Sequence, residues 1–388
     1  MMSLNSEGVS SGWRSPVVLL LATDTPLPYR VLRCAAHAGA KVIVLGGRRA
    51  KLLALSRYCR EFILCPVDFV DESIPVILDE INRITSERVI DQVIPGDGTT
   101  TGILARIKDH VHVRCFPLPS AVAFGRLNDK GKFADLCREL NLPHPKSMLA
   151  KNVGGIGGAV ENMGLPLIAK PVDNHGGVGV SKVDRWPDSS VTQAIDYSPV
   201  LLQEYIDGED ICVSLFCEKG ACRQWVAYQR KNGEYRFCRH GRLMDLAQTV
   251  ARYLQVDGVI CFDARLAPGS GMLYLIECNP RFWYNVDYAM LAGANFVALG
   301  LPECSLSDDV VTDGFTVSLP HTFLAKMMMP WTITKADLKA LRFWLSDPWV
   351  FFVIETWLNP RFDFLGRVCL VWRGVMARFR FFQALAPR

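Results

Sequence analysis

Between residues 16 and about 118, short continuous aliphatic runs alternate with stretches of helical periodicity. Val17–Ala22 predicts a strand, Tyr29–Ala38 a helix and Lys41–Leu45 a second strand. Leu52–Tyr58 then predicts a helix, Glu61–Cys65 an extended segment, Ile74–Thr85 another helix and Asp91–Pro95 a further strand. Unbroken Val/Ile/Leu runs between helices are what a parallel sheet covered on both faces requires. The strand ends carry no dinucleotide fingerprint: Thr23-Asp24-Thr25-Pro26 lacks glycine, and Leu45-Gly46-Gly47 is not GxGxxG.

Residues 119–302 have a different texture, with polar motifs set at the ends of apolar strands. The strand Leu167-Ile168-Ala169-Lys170-Pro171 delivers one lysine. The loop Asp173-Asn174-His175-Gly176-Gly177-Val178-Gly179 follows, and a strand resumes at Val180. Glycines let backbone N–H groups approach phosphate oxygens, and a lysine supplies a point charge beside them. The lysine precedes the glycines, so this is not the GxxxxGK[ST] loop. A second strand, Leu201-Leu202-Gln203-Glu204-Tyr205-Ile206, ends in polar groups and the turn Asp207-Gly208-Glu209-Asp210. Its backbone could meet an adenine edge and a carboxylate could meet ribose hydroxyls; alone it reads as an acidic surface turn.

The most informative pattern is a hairpin of Val259–Arg265 and Met272–Cys278 around Pro268-Gly269-Ser270-Gly271. Strict alternation puts Cys261, Asp263 and Arg265 on one face of its first strand. On the second strand Leu275, Glu277 and Asn279 share a face, opposite Tyr274, Ile276 and Cys278. Two carboxylates and an amide oxygen then meet across paired strands, a set of hard oxygen ligands suited to Mg²⁺. An unpaired carboxylate in an apolar strand is costly, which argues against an idle solvated face. Arg281 follows and could grip phosphate or carboxylate oxygens through two parallel hydrogen bonds.

In order and approximate spacing, the lysine, glycine loop, Gln-Glu-Tyr-Ile-x-Gly segment and final Glu-Cys-Asn-Pro-Arg resemble the ATP-grasp superfamily over residues 16–300. Asn128-Asp129-Lys130, opening a helix before Leu142-Pro143, resembles that family's earlier nucleotide-contacting lysine. The resemblance implies an α/β fold: a parallel-sheet domain at 16–118, an ATP-grasp α+β domain at 119–302 with a lid at about 148–202, and a helical, aromatic-rich segment at 303–388. It implies that Lys130 and Lys170 hold ATP phosphates under the 174–180 loop, including Gly176, Gly177 and Gly179. Gln203 and the backbone of Glu204, Tyr205 and Ile206 would face adenine, with Asp210 on the ribose. Asp263, Glu277 and Asn279 would bind Mg²⁺ (or Mn²⁺), and Arg281 with Lys170 would act on the transferred phosphoryl group. Gln203 replaces a common Glu, and His175 replaces a small residue. The implied activity is ligation of a small-molecule carboxylate to an amine through an acyl phosphate. A kinase-type phosphotransferase and a non-catalytic, membrane-associated nucleotide-binding protein are the alternatives. His240, Arg230 and Lys231 are either acceptor-pocket residues or solvated loop residues, the second reading being favoured.

Composition narrows the picture further. The net charge of +4 over 388 residues does not suggest nucleic acid. The charge is uneven: from His321 onward there are ten Lys or Arg against four Asp or Glu. Thirteen cysteines occur singly, without CxxC pairs, and the seven histidines do not group with them as a zinc site requires, as expected of free thiols in a reducing cytoplasm. No apolar run approaches the ~20 residues of a spanning helix. Phe364–Phe382 carries arginine as its only charge among aromatics. That segment is either an interfacial helix at the inner face of a membrane or a helix packed on the core. Its split polar face favours the second. Oligomeric state is not encoded in any motif.

Overall fold

Val17–Ala22 forms the first strand (β1), with all six positions buried. In a computed structural model describing residues 14–174, 176–302 and 313–358, β1 is the centre of a five-stranded parallel sheet. With β2 (Lys41–Gly46), β3 (Cys59–Leu64), β4 (Gln92–Pro95) and β5 (Arg114–Cys115), the order is β3-β2-β1-β4-β5. Alternation splits β1 between two cores, since successive side chains leave opposite faces. Val17, Leu19 and Leu21 pack with Ile77, Ile81 and Ile84 of the helix Ile74–Glu87. Val18 and Leu20 pack with Tyr29 of the helix Pro26–His37, and with Phe116, Phe216, Phe282 and Trp344 from the rest of the chain. The helix expected at Leu52–Tyr58 is instead a 3-10 segment over Arg48–Leu55, and β3 starts at Cys59 rather than Glu61.

Two antiparallel sheets follow. The first contains β6 (Ser147–Ala150), β7 (Leu167–Pro171), β8 (Ser181–Val183) and β9 (Val200–Glu204), ordered β6-β9-β7-β8. It has its own small core of Ile156, Leu167, Ala169, Val200 and Leu202. The second contains β10 (Glu209–Glu218), β11 (Ala221–Lys231), β12 (Glu234–Cys238), β13 (Gly258–Leu266), β14 (Leu273–Asn279) and β15 (Thr316–Ser318). Their order is β14-β13-β10-β11-β12-β15. The α/β class expected from the sequence is thus observed. β15 departs from the helical expectation for the C-terminal segment: it pairs with the outer edge of β12, which would otherwise be unpaired. The helices Pro320–Lys326, Lys335–Leu345 and Pro348–Val353 follow it. The expected Phe364–Phe382 helix and His175 lie outside the described residues. Among the described residues no helix is long and apolar enough to cross a membrane, and the cysteines are free thiols.

Gly258, entering β13, has φ +83° and a Cβ there would lie 1.9 Å from the Pro117 carbonyl oxygen. Only glycine fits where this strand passes the end of the parallel-sheet domain. The C-terminal helices clamp the same domain through buried arginines. The Arg30 guanidinium donates to Asp287 at 2.8 Å and to Glu355 at 2.5 Å, all three side chains being enclosed. Arg33 donates to the Phe343 carbonyl and lies over the Phe343 ring. Replacing Arg30 by Met removes the cation from between two buried carboxylates, so Arg30→Met should cost about 3–5 kcal/mol of stability. Urea denaturation would measure the loss; an unchanged midpoint would show that the clamp contributes nothing.

Candidate active site

Lys170 lies on β7, where alternation sends Leu167 and Ala169 into the core beneath. Ile168 and Lys170 therefore face the opposite way, into a cleft of about 530 Å³ between the two antiparallel sheets. β9 pairs with β7 so that Gln203 lies opposite Ile168 and joins the cleft wall. Its Nε2 donates to Ser147 Oγ at 2.9 Å, leaving the amide oxygen as the group to present. Glu204 N–H donates to the Lys146 carbonyl and Tyr205 N–H to the Pro166 carbonyl. Glu204, Tyr205, Ile206 and Asp210 continue the same wall. Asp210 pairs with Arg265 at 3.0 Å on the rim.

The glycine loop roofs this cleft. Gly176, Gly177 and Gly179 all have φ between 67° and 79°, a left-handed conformation that other residues rarely adopt. Tyr197 Oη donates to the Gly179 carbonyl at 2.7 Å, anchoring the far end of the loop. At its near end, Lys130 Nζ donates to the Asn174 carbonyl. Lys130 is placed by Asp129, whose carboxylate caps the helix Lys130–Glu139 by accepting from Lys132 N–H.

Across the cleft, β13 and β14 set Asp263 opposite Glu277 and Cys261 opposite Asn279. The pairing slips between Asp263 and Ala264, so that Ala264 faces Leu275 and Ile276 is the additional residue of a bulge. This corrects the strict alternation expected of β14: Leu275 turns into the core, and Ile276 lines the cleft beside Glu277 and Asn279. Asn279 Nδ2 approaches both carboxylates at 3.4 Å, and its Oδ1 accepts from Arg281 at 2.9 Å. Lys130 Nζ lies 3.7 Å from Glu277.

The electrostatics follow from this crowding. Burial, then the Glu277 charge, push the Asp263 carboxyl from its usual 3.8 to about 7. Burial also acts to raise Glu277, but Lys130 and Lys170 outweigh it and hold that carboxyl below its usual value. Lys170, almost fully enclosed, is lowered to about 8, chiefly by burial and against the pull of Glu277. Two carboxylates and an amide held together at one strand pair fit a hard divalent cation, and two lysines under a glycine loop fit a polyphosphate. Among the described residues no larger cluster of His, Cys, Asp or Glu suits a metal.

Other sequence candidates separate. Arg230 reaches the cleft, whereas Lys231 pairs with Glu209 at 2.6 Å on the surface. His240 caps the helix Gly241–Tyr253 by accepting from Leu243 N–H. Sequence reasoning missed Trp283, Tyr284 and Asn285, which lie just beyond Arg281 and complete the cleft. It also missed Asp24 and Asp97, at the carboxyl ends of β1 and β4, which line a second cleft of about 500 Å³. A carboxylate just past an apolar strand was the available signal.

Comparison with known proteins agrees with this arrangement. Residues 196–317 match the family model described as "ATP-grasp in the biosynthetic pathway with Ter operon". A carbamoyl phosphate synthase large chain from Thermoanaerobacter pseudethanolicus is 26% identical over 233 residues, covering 54% of this chain and 20% of its own. The chain thus spans about a fifth of that relative's length. A D-alanine–D-alanine ligase A from Mesorhizobium japonicum is 31% identical over 178 residues, 45% of this chain and 43% of its own. Among solved structures, the ADP complex of an N5-carboxyaminoimidazole ribonucleotide synthetase superposes with a TM-score of 0.62 at 13% identity, covering 77% of this chain and 80% of that one. The fold is an α/β one, a parallel sheet followed by two antiparallel sheets, and it is shared with that synthetase. Family match, relatives and fold together support the ATP-grasp superfamily, as the motif order implied.

The raised Asp263 carboxyl generates a prediction in the absence of divalent cation. Its stabilising contribution is complete below pH 3.8, the usual value, and is lost as pH rises toward 7. Asp263→Asn lacks this loss, so its melting temperature should overtake that of the parent between pH 5 and 8. Added Mg²⁺ should restore the parent and leave the variant unmoved. Parallel pH curves would contradict the crowding of the two carboxylates.

Proposed function

We propose that this chain is an ATP-dependent ligase that activates a substrate carboxylate as an acyl phosphate and joins it to an amine. One observation carries the reading: two lysines, two half-buried carboxylates, an amide and an arginine converge in one glycine-roofed cleft. The ligase and synthetase names of the relatives support it. In this reading Lys130 and Lys170 hold the ATP phosphates beneath the 174–180 loop. Gln203 and the backbone of Glu204 to Ile206 meet adenine, and Asp210 meets the ribose once released from Arg265. Asp263, Glu277 and Asn279 would hold Mg²⁺, which neutralises charge on the phosphate oxygens when bound. To serve as a ligand Asn279 would turn its amide so that the oxygen, rather than the nitrogen, faces the cation. The domains act as 16–118, 119–302 with the lid at 148–202, and 303–388.

A carboxylate oxygen of the acid attacks the γ-phosphorus; the new O–P bond forms as the bond to the β–γ bridging oxygen breaks, and ADP departs. The amine lone pair then attacks the acyl carbon. The C–N bond forms, the C–O bond to phosphate breaks, and the nitrogen gives up a proton to solvent. Both steps develop charge on phosphoryl oxygens, so Lys130, Lys170 and Arg281 act by electrostatic stabilisation in a cleft that closure of the loop makes dry. A phosphotransferase would use only the first step. The second cleft, continuous with the first through Arg281, favours two substrates and hence ligation.

Release of ADP and phosphate over a panel of acids and amines, with mass spectrometry of the products, tests the reading. AMP and pyrophosphate as products would overturn the acyl phosphate route. Glu277→Gln should lower kcat by about 10²–10³ with the fold intact, because it removes a charge from the cation-facing pair. Lys170→Ala should weaken ATP binding as well as slow turnover. Near-parental turnover of Glu277→Gln at saturating Mg²⁺ would falsify the metal assignment.

A further inference from the structure

The five-stranded sheet changes direction between β1 and β4: from β1 the chain builds outward to β2 and β3, then returns to the other side. Open parallel sheets bind ligands in the crevice outside the carboxyl ends of the strands at such a switch. Asp24 follows β1 and Asp97 follows β4, and the second cleft of about 500 Å³ opens there. It shares Arg230, Arg281, Tyr235 and Tyr284 with the first cleft, so a small molecule in it reaches the point of phosphoryl transfer.

The charges lining it are not equivalent. Asp97 is committed, accepting from Thr100 N–H, Thr23 N–H and the Thr23 hydroxyl as the cap of the helix Gly98–Ile107. Glu355 and Arg30 are joined to each other, and Asp287 completes the neutralisation of Arg30. Asp24 differs, because its Oδ1 is enclosed without a hydrogen-bond partner. Burial, then the neighbouring Asp97 charge, raise this carboxyl to about 6, and Arg49 and Arg281 only partly draw it back. At the opposite end, Arg281 has an enclosed Nε without a partner, and Arg230 makes no ion pair among the described residues. The Tyr288 hydroxyl, on the wall between them, is also enclosed and unpartnered. An enclosed carboxylate lacking a donor is costly, and the missing partner is a cationic N–H group. A carboxylate-seeking end at Arg281 and an ammonium-seeking end at Asp24 describe one small zwitterion.

We propose that the second cleft binds the acid substrate as an amino acid, its carboxylate against Arg281 at the junction of the clefts and its ammonium against Asp24. This rests on the ligase reading for the fate of the carboxylate, but not for the binding itself. Asp24 is a specificity-determining residue in this scheme and takes no part in phosphoryl transfer.

The test pairs amino acids with analogues lacking only the amino group: alanine with propionate, glutamate with glutarate. Binding is read by calorimetry on the full chain with Mg-ADP, and turnover by phosphate release with hydroxylamine as nucleophile. Amino-bearing members should bind at least about 10²-fold more tightly, since a buried polar site strongly rejects a ligand that leaves it unpaired. Asp24→Asn should raise the KM for the amino acid about 10-fold or more while leaving the KM for ATP unchanged. Its melting temperature should not fall, which separates the effect from misfolding. Binding of amino acid without turnover would keep this site and sink the ligase reading alone. Failure of every amino-bearing member to bind, tighter binding of the analogues, or an Asp24→Asn effect confined to the KM of the nucleophile would each overturn the proposal.

Discussion

The structure is organised around a repulsion. Asp263 and Glu277 face each other across β13 and β14, close enough that one carboxyl is driven up to about 7 while the other is held down by Lys130 and Lys170. Nothing in the packing of a sheet calls for two acids at adjacent positions of the same register; a pair of threonines or valines would serve the strands better. The two acids are tolerated because the cations that offset them come from elsewhere: Lys130 from a capped helix, Lys170 from the other sheet, Arg281 from the turn after β14. Each cation is itself costly to bury, as the lowering of Lys170 to about 8 records. The cluster is therefore stable only as a whole, and its parts span residues 130 to 281.

That long-range dependence explains what the sequence disclosed. Motifs whose chemistry is local were legible: the lysine and glycines of one strand–loop unit, and the acid–amide pair at the end of β14. Continuous aliphatic runs placed the β1, β2 and β4 strands within a residue or two, because a strand buried on both faces needs apolar residues at every position. The bulge at Ile276 was not legible, since period-two reading has no means of signalling an inserted residue when both candidates are aliphatic. The 3-10 segment at Arg48–Leu55 was missed for a related reason, as its leucines fit a helix equally well. Asp24 was read only as evidence against a dinucleotide loop. Its importance comes from what surrounds it: β4, the Arg281 turn and residues near 320 and 355, which spacing alone does not connect.

The C-terminal segment shows the same limit from another side. Its aromatic and arginine content left a packed helix and an interfacial one open, with the packed one favoured; the described part makes extensive internal contacts while Met328, Trp331 and Trp349 stay exposed. β15 covers a sheet edge, Asp337 accepts from Ser318 N–H, and Glu355 closes over Arg30. The Trp344 ring stacks on Phe351 and packs against Phe323, so the three helices hold together before they meet the parallel-sheet domain. A buried arginine between two acids is seldom the most stable solution available, since matched apolar residues often do better. At Arg30 the arrangement has a geometric consequence: it fixes the far wall of the second cleft, and it withdraws one cation and one anion from that cleft at once.

Arg281 lies where the two clefts meet. Two of its nitrogens are held, one by Asn279 Oδ1 and one by the Phe282 carbonyl, which fixes the plane of the guanidinium between the clefts. A planar cation held at that junction would orient the carboxylate of the proposed substrate through its fork of donors, which a lysine could not do. Asn279 touches both carboxylates and Arg281, so a cation arriving at Asp263 and Glu277 would turn the amide and alter the hold on Arg281. On the proposed reading, occupancy of the first cleft and grip in the second would be coupled through that one side chain.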